Sequence, residues 1–121
     1  MDLTFLGAAT TVTGSQFLLE TRQARILVDC GEGTQRQLLR SDIGLVDLEE
    51  IFLTHFHSDH IGDLGEAITQ SWIAGRAQPL DVYGPAGTAR VVDGFTQAYT
   101  ADAGYRTLHH GEDYMPHAAG T

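Results

Sequence analysis
The sequence predicts an α/β fold, a β-sheet with helices packed against one face. Three observations carry that prediction. The chain opens with short apolar runs, too short for helices, that read as strands. From the middle onward such runs alternate with stretches whose apolar residues recur at helical spacing, the pattern of a sheet covered by helices. The 121 residues, 42% hydrophobic and 19% charged, suffice for one domain with a modest core.

Leu3–Leu6 reads as the first strand, followed by a Gly-, Ala- and Thr-rich loop from Gly7 to Gly14. Gln16–Glu20 reads as the second strand and Arg25–Asp29 as the third. The short polar turn between them predicts a β-hairpin. Gly31 and Gly33 then break the chain, and Thr34 is placed to cap a short helix over Gln35–Arg40. Asp42-Ile43-Gly44-Leu45 ends that helix. Ile51-Phe52-Leu53 is a further buried strand.

Leu64, Ala67, Ile68 and Trp72 fall on one face of a helix over Asp63–Ala74, with Asp63 as its cap and Trp72 in the core. Leu80–Tyr83 is the last strand. Gly84–Gly87 turns into a helix from about Thr88, with Val91, Val92, Phe95, Ala98 and Tyr99 along its apolar face. After Gly104 the pattern fades, so residues 104–121 are expected to be an irregular tail. In that tail the pair His109-His110 and the near-terminal His117 are expected to be solvated.

Composition narrows the function. The formal net charge is −9, and all seven basic residues are arginine. Non-specific nucleic-acid binding relies on cationic groups neutralising phosphates. The acidic balance therefore weighs against a broad RNA-binding footprint, though not against a local basic patch or bound metal ions acting as the cation. Cys30 is the single cysteine, which excludes an internal disulfide, and it reads as a small buried apolar residue. The N-terminus lacks the basic and apolar regions of a signal peptide, and no apolar run approaches membrane-spanning length. The expectation is a cytoplasmic protein with no membrane partner.

The chemistry is concentrated after the strand Ile51–Leu53, in His55-Phe56-His57-Ser58-Asp59-His60. Imidazole and carboxylate are ligands suited to a borderline divalent ion such as zinc. His55 and His57 are two apart at a strand end, so in extended backbone they project to the same side and can grip one ion. Asp59 and His60 follow a turn at Ser58 and are aimed at a second ion. Two ions roughly 3.5–4 Å apart can clamp both oxygens of a displacement.

This His-x-His-x-Asp-His pattern resembles the signature of the metallo-β-lactamase superfamily. The segment Leu27-Val28-Asp29-Cys30-Gly31-Glu32-Gly33-Thr34-Gln35-Arg36-Gln37-Leu38, with Val82-Tyr83-Gly84-Pro85-Ala86-Gly87-Thr88, is similar to its ribonuclease Z branch, the tRNA 3′-end processing nucleases. The resemblance covers most of residues 1–99. It implies an αββα sandwich, of which residues 1–121 correspond to the N-terminal half of a single domain. It also implies a zinc-dependent hydrolase with two Zn2+ per complete site, His55, His57, Asp59 and His60 as ligands, and hydrolysis of a phosphodiester by metal-bound hydroxide. Asp59 would be the catalytic residue, and Asp29 would orient the metal loop by hydrogen bonds.

The family draws its remaining ligands, a histidine, a bridging aspartate and a last histidine, from the second half of the fold. The four residues here amount to part of a site, completed in a longer protein or by a homodimer. The loop Ala8–Ser15 lacks the basic recognition loop of typical ribonuclease Z and resembles the β-CASP branch instead. The long arm that clasps tRNA is also not visible. The expected substrate is RNA, as precursor tRNA. The alternatives are a hydrolase of the same fold acting on a small phosphodiester, arylsulfate, thioester or lactam, and a metal-binding fragment that does not turn over. Gly84–Thr88 opens a helix whose free N–H groups suit a phosphate, though an ordinary helix start explains it as well.

Overall fold
The computed structural model describes residues 2–6, 16–22, 25–40 and 48–110. The loop expected at Ala8–Ser15, the segment 41–47 and the tail from 111 to 121 with His117 lie outside them, as do 23 and 24 of the hairpin turn. Ten elements follow in chain order: β1 (Asp2–Phe5), β2 (Phe17–Glu20), β3 (Arg25–Val28), α1 (Thr34–Arg40), β4 (Glu50–Phe52), α2 (Ser58–Ile61), α3 (Leu64–Ile73), β5 (Asp81–Tyr83), α4 (Thr88–Ala98) and α5 (Thr100–His110).

The strands form one sheet in the order β1-β2-β3-β4-β5. The first two pairings are antiparallel and the last two parallel. That change follows from the connections. A polar turn joins β2 to β3, whereas helices carry the chain from β3 to β4 and from β4 to β5, as a parallel crossover requires.

The register sorts the side chains into two faces. One row runs Thr4, Leu18, Leu27, Ile51 and Val82 across the sheet. Leu18, Leu27 and Ile51 are fully buried and meet Leu38 of α1 and Leu64, Ala67 and Ile68 of α3 in the main core. On the opposite face the row is Phe5, Phe17, Val28, Phe52 and Tyr83. Phe52 stacks on Tyr83 with ring centroids 4.8 Å apart, and Phe5 lies 6.0 Å from Phe17. Phe5 is nevertheless 67% exposed and Tyr83 47%. The helices therefore cover one face of the sheet, as the sequence predicts, and the apolar row on the other face reaches solvent.

Thr34 departs from the expected cap. It is the first residue of α1, and its hydroxyl donates to the Gly31 carbonyl at 2.7 Å. Asp63 holds the cap position of α3 without a side-chain capping bond. The far end of α3 is closed by Arg76, a residue the sequence reading did not single out. Its guanidinium donates to the Ile68 carbonyl and Ser71 Oγ at 2.9 Å and to the Gln78 carbonyl. A cation at a helix C-terminus is favourable, although burial pushes this one down to about 10.

Residues 104–110 correct the expected irregular tail: α5 runs through Gly104 to His110. Glycine inside a helix costs only about 1 kcal/mol relative to alanine, so it did not end the element. Arg106 donates to Asp102 at 2.7 Å one turn away, and Ala103 packs with the buried Trp72. The segment has few large apolar residues to mark a helical face, and the two it has, Tyr105 and Leu108, are largely exposed. His109 is exposed near the end of this helix.

α4 rests on α3 through a close approach at Gly65. A Cβ there would lie 2.6 Å from Tyr99 Cε1 and 3.0 Å from Phe95 Cδ1. Tyr99 is tied down, since its hydroxyl donates to Glu66 at 2.9 Å; burial and then that carboxylate push its phenol up to about 12. Gly65→Ala should therefore cost about 1–3 kcal/mol, as overpacking does. Urea unfolding checks this, and an unchanged midpoint would show that α4 shifts freely.

Candidate metal centre
The candidate residues gather at the carboxyl ends of β3 and β4, where parallel strands deliver loops and where open α/β sheets place their ligands. The Asp29 N–H donates to the Phe52 carbonyl, so the chain leaves β3 hydrogen-bonded to β4. Asp29 itself turns away with φ +61°. That left-handed conformation is uncommon outside glycine, and aspartate tolerates it better than most residues. It ends β3 one residue earlier than the apolar pattern predicts.

The loop after β4 is clasped to this turn through the peptide of Cys30. Cys30 N–H donates to the His60 carbonyl at 2.7 Å, and Asp63 N–H donates to the Cys30 carbonyl at 2.9 Å. The Cys30 side chain is fully buried in the main core, and burial above all pushes its thiol up. It is a small core residue, as expected, and its high pKa makes it a poor ligand or nucleophile. On the other side, Phe56 packs against the core and lies beside Gly87, where a Cβ would sit 3.1 Å from its ring.

The turn expected at Ser58 is a short helix, α2, that carries Asp59 and His60. The sequence reading missed it because four residues hold too little pattern. Its consequence is the one anticipated: Asp59 and His60 leave the line of His55 and His57. The donor atoms fall into two pairs. His55 Nε2 lies 3.0 Å from His57 Nδ1. His60 Nε2 lies 3.5 Å from Asp59 Oδ2. The two pairs are adjacent, with the His55 and His60 rings 4.0 Å apart between centroids. Among the described residues, no group of three His, Cys, Asp or Glu side chains is arranged to hold one metal ion.

Asp29 lies beneath both pairs and is 2% exposed. Its Oδ1 accepts the Thr54 N–H at 2.8 Å, and its Oδ2 accepts the Thr54 hydroxyl at 2.8 Å and His60 Nδ1 at 2.7 Å. An ionised carboxylate only accepts, so His60 Nδ1 is the donor of this bond, which leaves Nε2 as the nitrogen that faces Asp59. A carboxylate behind a histidine is the usual support of a metal-binding imidazole. The residues thus fit a divalent metal in donor type and pairing, and His60 also in the nitrogen it presents. A pair of donor side chains faces each of two neighbouring positions. Gly84–Thr88, the other sequence candidate, begins α4 with Gly87 at φ +102° and the Thr88 hydroxyl turned back to the Pro85 carbonyl. It is built as a helix start.

A model of the metallo-beta-lactamase superfamily matches residues 9–117. The ribonuclease Z of Mycobacterium marinum is 36% identical over 124 aligned residues, taking in 96% of this chain and 44% of that protein. The ribonuclease Z of Gloeothece citriformis is 47% identical over 94 residues, 72% of this chain and 30% of that one. The crystal structure of the short form of human tRNase Z matches with a TM-score of 0.69 at 34% identity, covering 84% of this chain and 39% of its own. The chain spans less than half the length of these relatives. With the matched span embracing both the Asp29 turn and the histidine loop, the chain belongs to the metallo-beta-lactamase superfamily.

Proposed function
We propose that this chain supplies one part of a two-zinc hydrolase centre of the ribonuclease Z kind, acting on the phosphodiester of precursor tRNA in the cytoplasm. The observation that carries the reading is the arrangement of donors in two adjacent pairs, His55 with His57 and Asp59 with His60. The name ribonuclease Z supports RNA as the substrate, and the human tRNase Z structure supports tRNA. Zinc bound there would polarise a phosphoryl oxygen and make water acidic enough to act as a nucleophile at neutral pH. His55 and His57 would hold one ion and His60 the other. Asp59 would reach the second ion with one carboxylate oxygen and take a proton with the other.

Two donors per ion are fewer than the three or four that zinc sites use. The remaining ligands would come from a second sheet laid on the exposed Phe5–Tyr83 row. That sheet belongs to a longer polypeptide or, for this chain alone, to the second copy in a homodimer. A second reading, a hydrolase of small phosphodiesters, draws support from the net charge of −9.

Elemental analysis with light scattering on the 121-residue protein tests the proposal. About two zinc ions per chain in a defined dimer, with cleavage of precursor tRNA, is the result expected. Cleavage of bis(p-nitrophenyl) phosphate without cleavage of precursor tRNA would move the assignment to the small-substrate reading. A defined dimer that takes up no zinc would overturn both, whereas little zinc in an aggregating species would mean that the remaining ligands come from a longer polypeptide.

A further inference from the structure
We propose that Thr54 is a positioning residue that sets the tautomer of His55, so that one buried carboxylate, Asp29, orients a histidine in each of the two donor pairs. This rests on the metal reading of His55 but has its own observable. Thr54 Oγ1 stands between two partners, 2.8 Å from Asp29 Oδ2 and 2.9 Å from His55 Nδ1. A hydroxyl has one proton to give. If that proton went to His55 Nδ1, the hydroxyl lone pairs would face an acceptor-only carboxylate at hydrogen-bond distance. The proton therefore goes to Asp29, and Oγ1 accepts from His55 Nδ1–H.

The consequence is a fixed ring. With its proton on Nδ1, His55 turns the lone pair of Nε2 toward His57, whose Nδ1 lies 3.0 Å away. His60 is set in the same way by its direct bond to Asp29 Oδ2. Two of the three histidines are thus preset from one carboxylate, His60 directly and His55 through the Thr54 hydroxyl. His57 is exposed and stands at the end of this chain of bonds. In the metal-free chain its Nδ1–H donates to His55 Nε2, and it is the ring that must change tautomer to present Nδ1 as a ligand. The backbone anchors the arrangement independently, because the Thr54 N–H bonds Asp29 Oδ1.

The test uses Thr54→Val, which keeps the shape and the backbone bond but removes the hydroxyl, and Thr54→Ser, which keeps the hydroxyl. Nitrogen-15 imidazole shifts of the metal-free chain should show His55 with Nδ1 protonated in the wild type and in Thr54→Ser, and mainly Nε2 protonated in Thr54→Val. Zinc affinity, measured against a chelating indicator, should fall about 10–100-fold in Thr54→Val, as for loss of other supporting partners of metal-binding histidines. It should recover in Thr54→Ser. An unchanged His55 tautomer in Thr54→Val overturns the proposal, as does a Thr54→Ser variant that behaves like valine. A defined wild-type dimer that binds no zinc refutes the metal reading instead, while the tautomer measurement still decides the role of Thr54.

Discussion

His57→Ala is expected to abolish tight zinc binding while leaving the fold intact. The two effects separate because of where His57 sits. Its ring is exposed, and its hydrogen bond is to His55, another candidate ligand, at 3.0 Å. Removing it leaves no buried group without a partner, so stability should stay within about 0.5 kcal/mol of wild type. Metal binding should suffer more than the about 10–100-fold typical of losing a supporting hydrogen bond, because half of one donor pair is gone. His60→Ala provides the contrast. It removes a donor from the buried Asp29 carboxylate, at 2.7 Å, as well as a ligand. Hydrogen bonds to charged groups are worth about 1.5–3 kcal/mol, so this variant should lose both zinc and stability. Elemental analysis and thermal unfolding of the two variants check the pair. Unchanged zinc content in His57→Ala would remove the motif as a metal site.

Much of this arrangement was legible in the sequence because it rests on short-range periodicity. His55 and His57 two apart at a strand end, and Asp59 and His60 beyond a turn, state the two donor pairs directly. The β2–β3 hairpin follows from its short polar turn, and the α3 and α4 faces follow from apolar spacing, whereas the parallel pairing of β3, β4 and β5 appears only in the structure. Asp29 was only half legible. Its type and place at a strand end suggest a turn as readily as a support, and the left-handed backbone that brings its carboxylate under His60 depends on β4 lying beside β3. Thr54 was not legible, since a threonine between a strand and a histidine motif reads as a plain link. Its role appears only when residues 29 and 54, far apart in sequence, are brought together. Arg76 and α5 were missed for another reason. One is a charged residue buried to close a helix, and the other a helix that docks through the small Ala103 while its large apolar residues, Tyr105 and Leu108, are exposed.

The exposed sheet face carries the second large expectation: the 121-residue chain should self-associate at micromolar concentration, and Phe5→Thr with Tyr83→Thr should make it monomeric. The row Phe5, Phe17, Val28, Phe52 and Tyr83 crosses five strands. At about 4.8 Å between neighbours it is roughly 20 Å long. With Leu3, Leu19 and Ile26 in the adjoining row, the apolar patch is on the order of several hundred Å², near the limit that soluble monomers expose. Phe5 and Tyr83 stand at its two edges and are 67% and 47% exposed, so replacing them removes little core packing. Threonine keeps the β-propensity of both strands and leaves the net charge at −9, so a change in mass cannot be laid to strand loss or added repulsion. Association through this face should persist in high salt, because apolar contact is not screened as ion pairs are. Sedimentation velocity at low and high salt distinguishes the cases. A wild-type monomer with native circular dichroism would count against a second sheet being what this face needs. An associated double variant would move the contact elsewhere, the exposed Tyr105 and Leu108 of α5 being the next apolar surface to test.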